Sequence, residues 1–256
     1  MPRTLVVIPA RYASTRFPGK PLALLGGKPI LQWVWDALSG RGNWDTIIAT
    51  DDDRIACAAK VQFQANVMLT SVNCQSGTDR CGEVLQRIHD EKQDNYDLVV
   101  NVQGDEPLVD PNQIEALVKT FADPEVQIAT LCTPITSTDE LLSPNNVKVA
   151  RGDKGQALYF SRWPIPYRRE AEPEQWLTQG QYQKHVGIYA FRAKVLKAIC
   201  TLPVSPLEEA ERLEQLRWLA AGYTIRVVET DHANIGIDTP DDLLAANNII
   251  TQKRQK

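Results

Sequence analysis

Acidic residues are missing from the first 35 positions of this 256-residue chain, while Arg3, Arg11, Arg16, Lys20 and Lys28 all fall there; the first carboxylate is Asp36. No ion pair internal to that stretch can account for its cations. No apolar run reaches the ~18 residues a membrane-spanning helix needs, so no span is expected. The five cysteines (Cys57, Cys74, Cys81, Cys132 and Cys200) are odd in number and lack C-x-x-C spacing. That argues against a zinc site and for reduced thiols. Histidine is scarcer still, with only His89, His185 and His232. Neither a G-x-S-x-G elbow nor a Ser-His-Asp arrangement occurs, which counts against acyl hydrolysis. The G-x-x-x-x-G-K-[ST] and G-x-G-x-x-G patterns are absent too, excluding a P-loop and a dinucleotide fingerprint. A net charge of −4 supplies no global basic field for nucleic acid or an anionic membrane.

What is present begins with the apolar run Leu5-Val6-Val7-Ile8, which leads into a long irregular stretch between Arg11 and Ile30. Pro18, Gly19, Pro21, Gly26, Gly27 and Pro29 punctuate it. A loop of that length after a buried strand is uncommon unless it is functional. Rich in glycine and cations and free of acids, it suits a polyphosphate, whose oxygens backbone N–H groups and Arg or Lys side chains can surround. The bland alternative is a solvated loop with incidental cations. Against an acidic chain, the cluster favours a small anionic ligand over a polymer.

Farther along, apolar runs alternate with amphipathic stretches. Strands are expected at 5–10, 46–50, 66–70, 98–102 and 126–134, and helices at 30–38, 53–61, 76–90 and 113–121. Such alternation predicts an α/β fold: a mostly parallel, Rossmann-like sheet sandwiched by helices. With 43% hydrophobic residues, the chain can bury a sizeable core as a single domain spanning 1–256. The rhythm breaks after Ile135, where a hairpin, an exposed excursion over 163–182 and a strand at 184–191 follow. A lobe inserted at about 136–206 is expected. A strong helix over 207–219, a strand at 224–229 and a helix at 241–251 complete the reading.

Two acids stand at the ends of apolar runs. In "LVVNVQGDEPLV", Asp105 follows a strand and would face the ligand crevice of an open α/β sheet. There it is a natural Mg²⁺ ligand, or else part of a turn with Gly104 and Pro107. In "NIGIDTPDDL", Thr239 fits a helix N-cap, Pro240 the first helical position and Asp242 the capping box. Asp238 is then left without a capping role and is a candidate second metal carboxylate; the alternative is another acid favoured near a helix N-terminus. His185, opening a strand beside Gly187 and Tyr189, is a candidate for a ligand hydrogen bond.

As a set, "IPARYASTRFPGKPL", "CQSGTDR", "VNVQGDEP", "NNVKVA…ALYFSR", "KHVGIYAFR", "SPLEEAERLEQLR" and "IGIDTPDDL" resemble the CTP:3-deoxy-manno-octulosonate cytidylyltransferase (CMP-Kdo synthetase) family. The resemblance runs in order from about residue 5 to 245. It implies a nucleotidyltransferase-type fold with a dimerisation lobe, a homodimer, Mg²⁺, CTP and a 3-deoxy-octulosonic acid as substrates, and a cytoplasmic role in lipopolysaccharide precursor synthesis. It also implies roles for individual residues. Ala10, Arg11, Arg16 and Lys20 belong to the nucleotide's phosphate loop, with Arg11, Lys20 and Asp105 catalytic. Ser76 and Arg80 lie toward the cytosine and Gln103 on both the nucleotide and sugar sides. Arg162, His185, Tyr189 and Glu214 surround the sugar acid, and Asp105 and Asp238 hold the metal. The stretch 163–182 and the start of "HANIGIDTP" depart from the family pattern. An 8-amino relative of the sugar, another nonulosonic acid, or a nucleotide-binding homologue without turnover are the competing expectations.

Overall fold

The computed structural model describes residues 2–13, 16–232 and 236–254. They form an α/β protein of two compact units: 1–115 with 234–256, and 116–233. Among the described residues no helix is long and apolar enough to cross a membrane.

The first unit opens with β1 (Thr4–Ala10), whose Leu5, Val6, Val7 and Ile8 are buried on both faces, as a strand covered by helices on each side must be. A one-turn 3₁₀ helix (Lys20–Leu22) and the short pair β2 (Leu24–Leu25) and β3 (Lys28–Pro29) give the supposedly irregular stretch some order. α1 (Ile30–Leu38) then buries Ile30, Leu31, Val34, Trp35 and Leu38 along one stripe. Next come β4 (Trp44–Thr50), α2 (Asp53–Phe63), β5 (Val67–Leu69), α3 (Gly77–Lys92) and β6 (Leu98–Asn101). β1 pairs in parallel with β4 over its whole length, Thr4 opposite Trp44 through Ala10 opposite Thr50. On its other edge it pairs in parallel with β6, from Thr4 opposite Leu98 to Val7 opposite Asn101, and β4 pairs in parallel with β5. The order β6-β1-β4-β5 places the topological switch point beside β1. There the chain leaves the carboxyl ends of β1 and β6 in opposite directions and opens a crevice.

The chain passes into the second unit within α4 (Pro111–Thr120). This unit holds β7 (Ile128–Pro134), α5 (Thr138–Leu142), β8 (Lys148–Arg151), β9 (Ala157–Ser161), α6 (Trp176–Gln179) and β10 (Gln183–Arg192). α7 (Ala193–Ile199), α8 (Pro206–Glu211), α9 (Gln215–Ala220) and β11 (Ile225–Glu229) follow. β7 pairs in parallel with β11 and antiparallel with β10; β8 pairs antiparallel with β10 and with β9. The expected hairpin is thus β8–β9, turning through Gly155 at φ 74°. α10 (Pro240–Arg254) returns to the first unit, where Ile237 and Ala246 pack with Leu25 and Ile30.

Two expectations need correction. The helix anticipated over 207–219 is broken: α8 ends at Glu211, Arg212 adopts φ 54°, and α9 begins at Gln215. Its leucines do not share one buried stripe, since Leu207 is exposed while Leu213 and Leu216 are buried. The stretch 163–182 is not uniformly exposed either. Trp163 and Tyr167 are, but Trp176 and Tyr182 stack at 6.2 Å and form a small core with Ile135 and Leu141. The short helices α5 and α7 lacked the length for a periodic signal.

Candidate active site

A cleft of about 370 Å³ opens in the first unit at the carboxyl ends of β1 and β6. It is lined by Ala10, Arg11, Arg16 and Lys20 from the segment after β1, and by Gln103, Gly104 and Asp105 after β6. Ser76, Gly77 and Arg80 from the head of α3 and Asp238 from before α10 complete it. Every nucleotide-side and metal candidate named from the sequence therefore falls on one cavity.

Lys20 is its centre. Held by the 3₁₀ turn that follows Gly19, it is only 8% exposed. Its ammonium donates to Asp105 Oδ2 and, at 3.0 Å, to Asp238 Oδ1. Burial works against the charge, but the two carboxylates outweigh it and hold the Lys20 pKa above its ordinary value. No acid stands near Lys20 in sequence, since its partners lie 85 and 218 positions away. Arg16 adds a second cation, 3.0 Å from Asp238 Oδ2. Arg11 stands exposed on the rim. Lys28, by contrast, lies outside the cleft, paired with Asp36 at 2.6 Å and 4.4 Å from the centre of the Trp33 ring.

Asp238 is positioned by its neighbours. Asp242 Oδ2 accepts the backbone N–H groups of Asp238 and Thr239 and the Thr239 hydroxyl, while Thr239 Oγ1 accepts Asp242 N. Burial opposes the Asp242 charge, but these bonds keep its pKa below the usual carboxylate value. The capping box read from the sequence is present, and it leaves the Asp238 carboxylate to the cleft. Asp105 is fixed from the same side, its carbonyl accepting Ile237 N at 3.0 Å. Gly104 allows β1 and the 103–106 turn to close up: a Cβ there would lie 2.8 Å from the Pro9 carbonyl oxygen. Among the described residues no group of three His, Cys, Asp or Glu side chains is arranged as a metal cage.

The α3 wall is more structural than its residue types imply. Ser76 is the N-cap, its hydroxyl accepting Asp79 N while Asp79 Oδ2 accepts Ser76 N. Arg80, 1% exposed, donates to Asp51 Oδ2 at 2.7 Å and Thr70 Oγ1 at 2.5 Å. The acids on its own helix are engaged elsewhere: Asp79 is in the capping box and Glu83 accepts Ser71 N. Asp51 escaped the sequence reading, although the rule that singled out Asp105, an acid just past an apolar strand, applies to it equally.

The four candidates for the sugar side that lie beyond Gln103 sit in the second unit. His185 Nε2 is 2.9 Å from Thr130 Oγ1, and its ring lies 5.1 Å from that of Phe160 and 5.2 Å from that of Tyr189. Desolvation pushes the imidazole down to about 3, so it is neutral at physiological pH. Burial, reinforced by the Glu214 charge, drives the Tyr189 phenol well above its ordinary value. Arg162 stands apart from them. Its guanidinium donates to the Glu211, Pro144 and Arg212 carbonyls at 2.8, 3.0 and 3.4 Å, tying down the end of α8.

A cytidylyltransferase family model matches residues 5–226. The chain belongs to the cytidylyltransferase family. This cytidylyltransferase is 51% identical to the 3-deoxy-manno-octulosonate cytidylyltransferase of Phocaeicola vulgatus, over 96% of this chain and 97% of that protein. The enzyme of the same name from Bacteroides thetaiotaomicron is 48% identical over 97% and 98%. A solved structure of CMP:2-keto-3-deoxy-manno-octonic acid synthetase complexed with CTP superposes with a TM-score of 0.85 at 39% identity, covering 98% of this chain and 99% of its own. A cytidylyltransferase from Leptospira borgpetersenii, 16% identical with a TM-score of 0.60, shares the fold.

Proposed function

We propose that the protein transfers the cytidylyl group of CTP to the hydroxyl of 3-deoxy-manno-octulosonate, giving CMP-Kdo and pyrophosphate. The observation that carries the reading is the convergence of Lys20 and Arg16 with Asp105 and Asp238 in one cleft, at the end of a loop free of other acids. The sugar oxygen forms a bond to the α-phosphorus as the bond to the bridging oxygen of the β-phosphate breaks in line. Pyrophosphate departs with that electron pair, and the hydroxyl proton leaves to solvent. Such a transfer asks the protein for position and charge compensation more than for covalent chemistry. Lys20 answers the negative charge that builds on the α-phosphate and leaving group, and Arg11 and Arg16 hold the outer phosphates. Neutral His185 binds the sugar rather than moving its proton.

Asp105 and Asp238 are the residues that would hold Mg²⁺. Two carboxylates reaching one cation fit its preference for one or two protein carboxylates with phosphate oxygens and water completing the shell. When bound, the ion supplies Lewis-acid polarisation of phosphate oxygens and a lowered pKa for the attacking hydroxyl. The same reading has a single domain with an inserted dimerisation lobe at about 136–206, a homodimer, and a cytoplasmic site of action. Mass spectrometry of the products from CTP with Kdo, its 8-amino analogue or a sialic acid tests the acceptor: CMP-Kdo as the dominant product is expected. Pyrophosphate release with Mg²⁺ that vanishes in EDTA tests the metal, and undiminished release in EDTA would remove Asp105 and Asp238 from that role.

A further inference from the structure

The turn between β4 and α2 holds two consecutive acids, Asp51 and Asp52, neither of which lines the cleft. Asp51 holds Arg80, which also donates to the Thr70 hydroxyl. A cation this buried keeps one orientation only while its counter-charge is in place. Asp52 has a different partner, Arg54. It caps α2 by accepting Arg54 N at 2.9 Å and grips the Arg54 fork through Nε at 2.9 Å and Nη2 at 2.6 Å. The guanidinium lies 3.4 Å from the centre of the Tyr12 ring. Gly19, at φ 74°, packs against the same ring so closely that a Cβ would come within 3.1 Å of it, and Gly19 N donates to Tyr12 O at 2.9 Å. The neighbours of this brace, Arg11 and Ala13 on one side and Lys20 on the other, do line the cleft.

We propose that Asp51 and Asp52 are paired positioning residues, Asp51 setting the base end of the nucleotide site through Arg80 and Asp52 setting the phosphate loop through Arg54 and Tyr12. The inference rests on the cytidylyl-transfer reading, with the base toward Arg80 and the phosphates toward Lys20. One turn then fixes the distance between the two halves of the nucleotide.

CMP and inorganic pyrophosphate probe those halves separately. Calorimetric binding to the full chain, with Mg²⁺ present, is expected to show CMP weakened about tenfold by Asp51→Asn with pyrophosphate unchanged. Arg54→Ala and Tyr12→Ala are expected to do the reverse, and Tyr12→Phe to bind both as the parent does, since only the ring is used. In turnover, Asp51→Asn narrows the preference for CTP over UTP, whereas Arg54→Ala raises KM for CTP. Should Asp51→Asn not fold, Thr70→Val removes the other acceptor of Arg80 and carries the same expectation. Equal loss of both ligands in any one variant, or no loss in either arm, overturns the proposal. A parent protein that binds neither CMP nor pyrophosphate overturns instead the cytidylyl-transfer reading beneath it.

Discussion

Lys20 keeps a full charge in a place where about a tenth of its side chain meets solvent (10%), and it does so by facing two carboxylates at once. A cation so constrained needs little reorganisation when charge appears on a phosphate beside it. Loss of one preorganised charge-stabilising group typically costs about 10²–10³ in turnover. Lys20→Ala is therefore expected to lower kcat by about that factor while remaining folded. Lys20→Arg should recover only part, because a planar fork does not replace a compact ammonium between two carboxylates. Lys28→Ala serves as the control, since Lys28 pairs with Asp36 outside the cleft. A rise in KM for CTP with kcat intact would recast Lys20 as a ground-state clamp. Asp105→Asn should likewise keep the fold and lose most turnover, and near-normal rates at limiting Mg²⁺ would exclude it.

At the scale of elements, the end of α8 shows how a cationic side chain can be structural in a region that otherwise looks ligand-directed. A helix terminus leaves carbonyls without intrahelical partners. Arg162 supplies donors to two of them, Glu211 O and Arg212 O, across the break at Arg212. Lys148, fully buried, fastens the same corner by donating to the carbonyls of Ser143, Asn146 and Arg162. Arg162→Ala is expected to reduce unfolding free energy by about 2 kcal/mol, with KM for the sugar acid nearly unchanged. A raised sugar KM at normal stability, read from denaturant titration and initial rates, would return Arg162 to the substrate side. Resemblance alone did not separate these roles, because the partners of Arg162 are backbone carbonyls, which leave no mark in residue types.

For the molecule as a whole, the parts legible in the sequence are those that local chemistry determines. The buried runs of β1 and β6, the stripe of α1 and the cap at Thr239 and Asp242 are readable because strand burial, helical period and capping each act within a few residues. From the cation-only stretch, Arg11, Arg16 and Lys20 come to line one cleft. Hidden were the contacts that folding alone creates: Lys20 with Asp105 and Asp238, Arg80 with Asp51, and Arg54 over Tyr12. His185 gives the intact protein an acid limit. Its native pKa of about 3 lies below the 6.5 of the unfolded chain, so the unfolded state takes up the proton first. Stability from this group is complete above pH 6.5 and falls as pH drops toward 3. His185→Gln should flatten that decline, seen as a smaller difference between urea midpoints at neutral and acidic pH; an unchanged difference would mean that His185 is not the group responsible.

The unit that carries the cleft is drawn from both ends of the chain, with Lys20 and Asp105 contributed early and Asp238 after the whole second unit has been traversed. On a ribosome, which extends the chain from its N-terminus, residues 1–115 emerge with the phosphate loop and one carboxylate but without the second. The cleft is thus assembled only once both parts of its unit are present. A chain that stops short of residue 237 has no Asp238 to complete the cleft and no Ile237 N to donate to the Asp105 carbonyl.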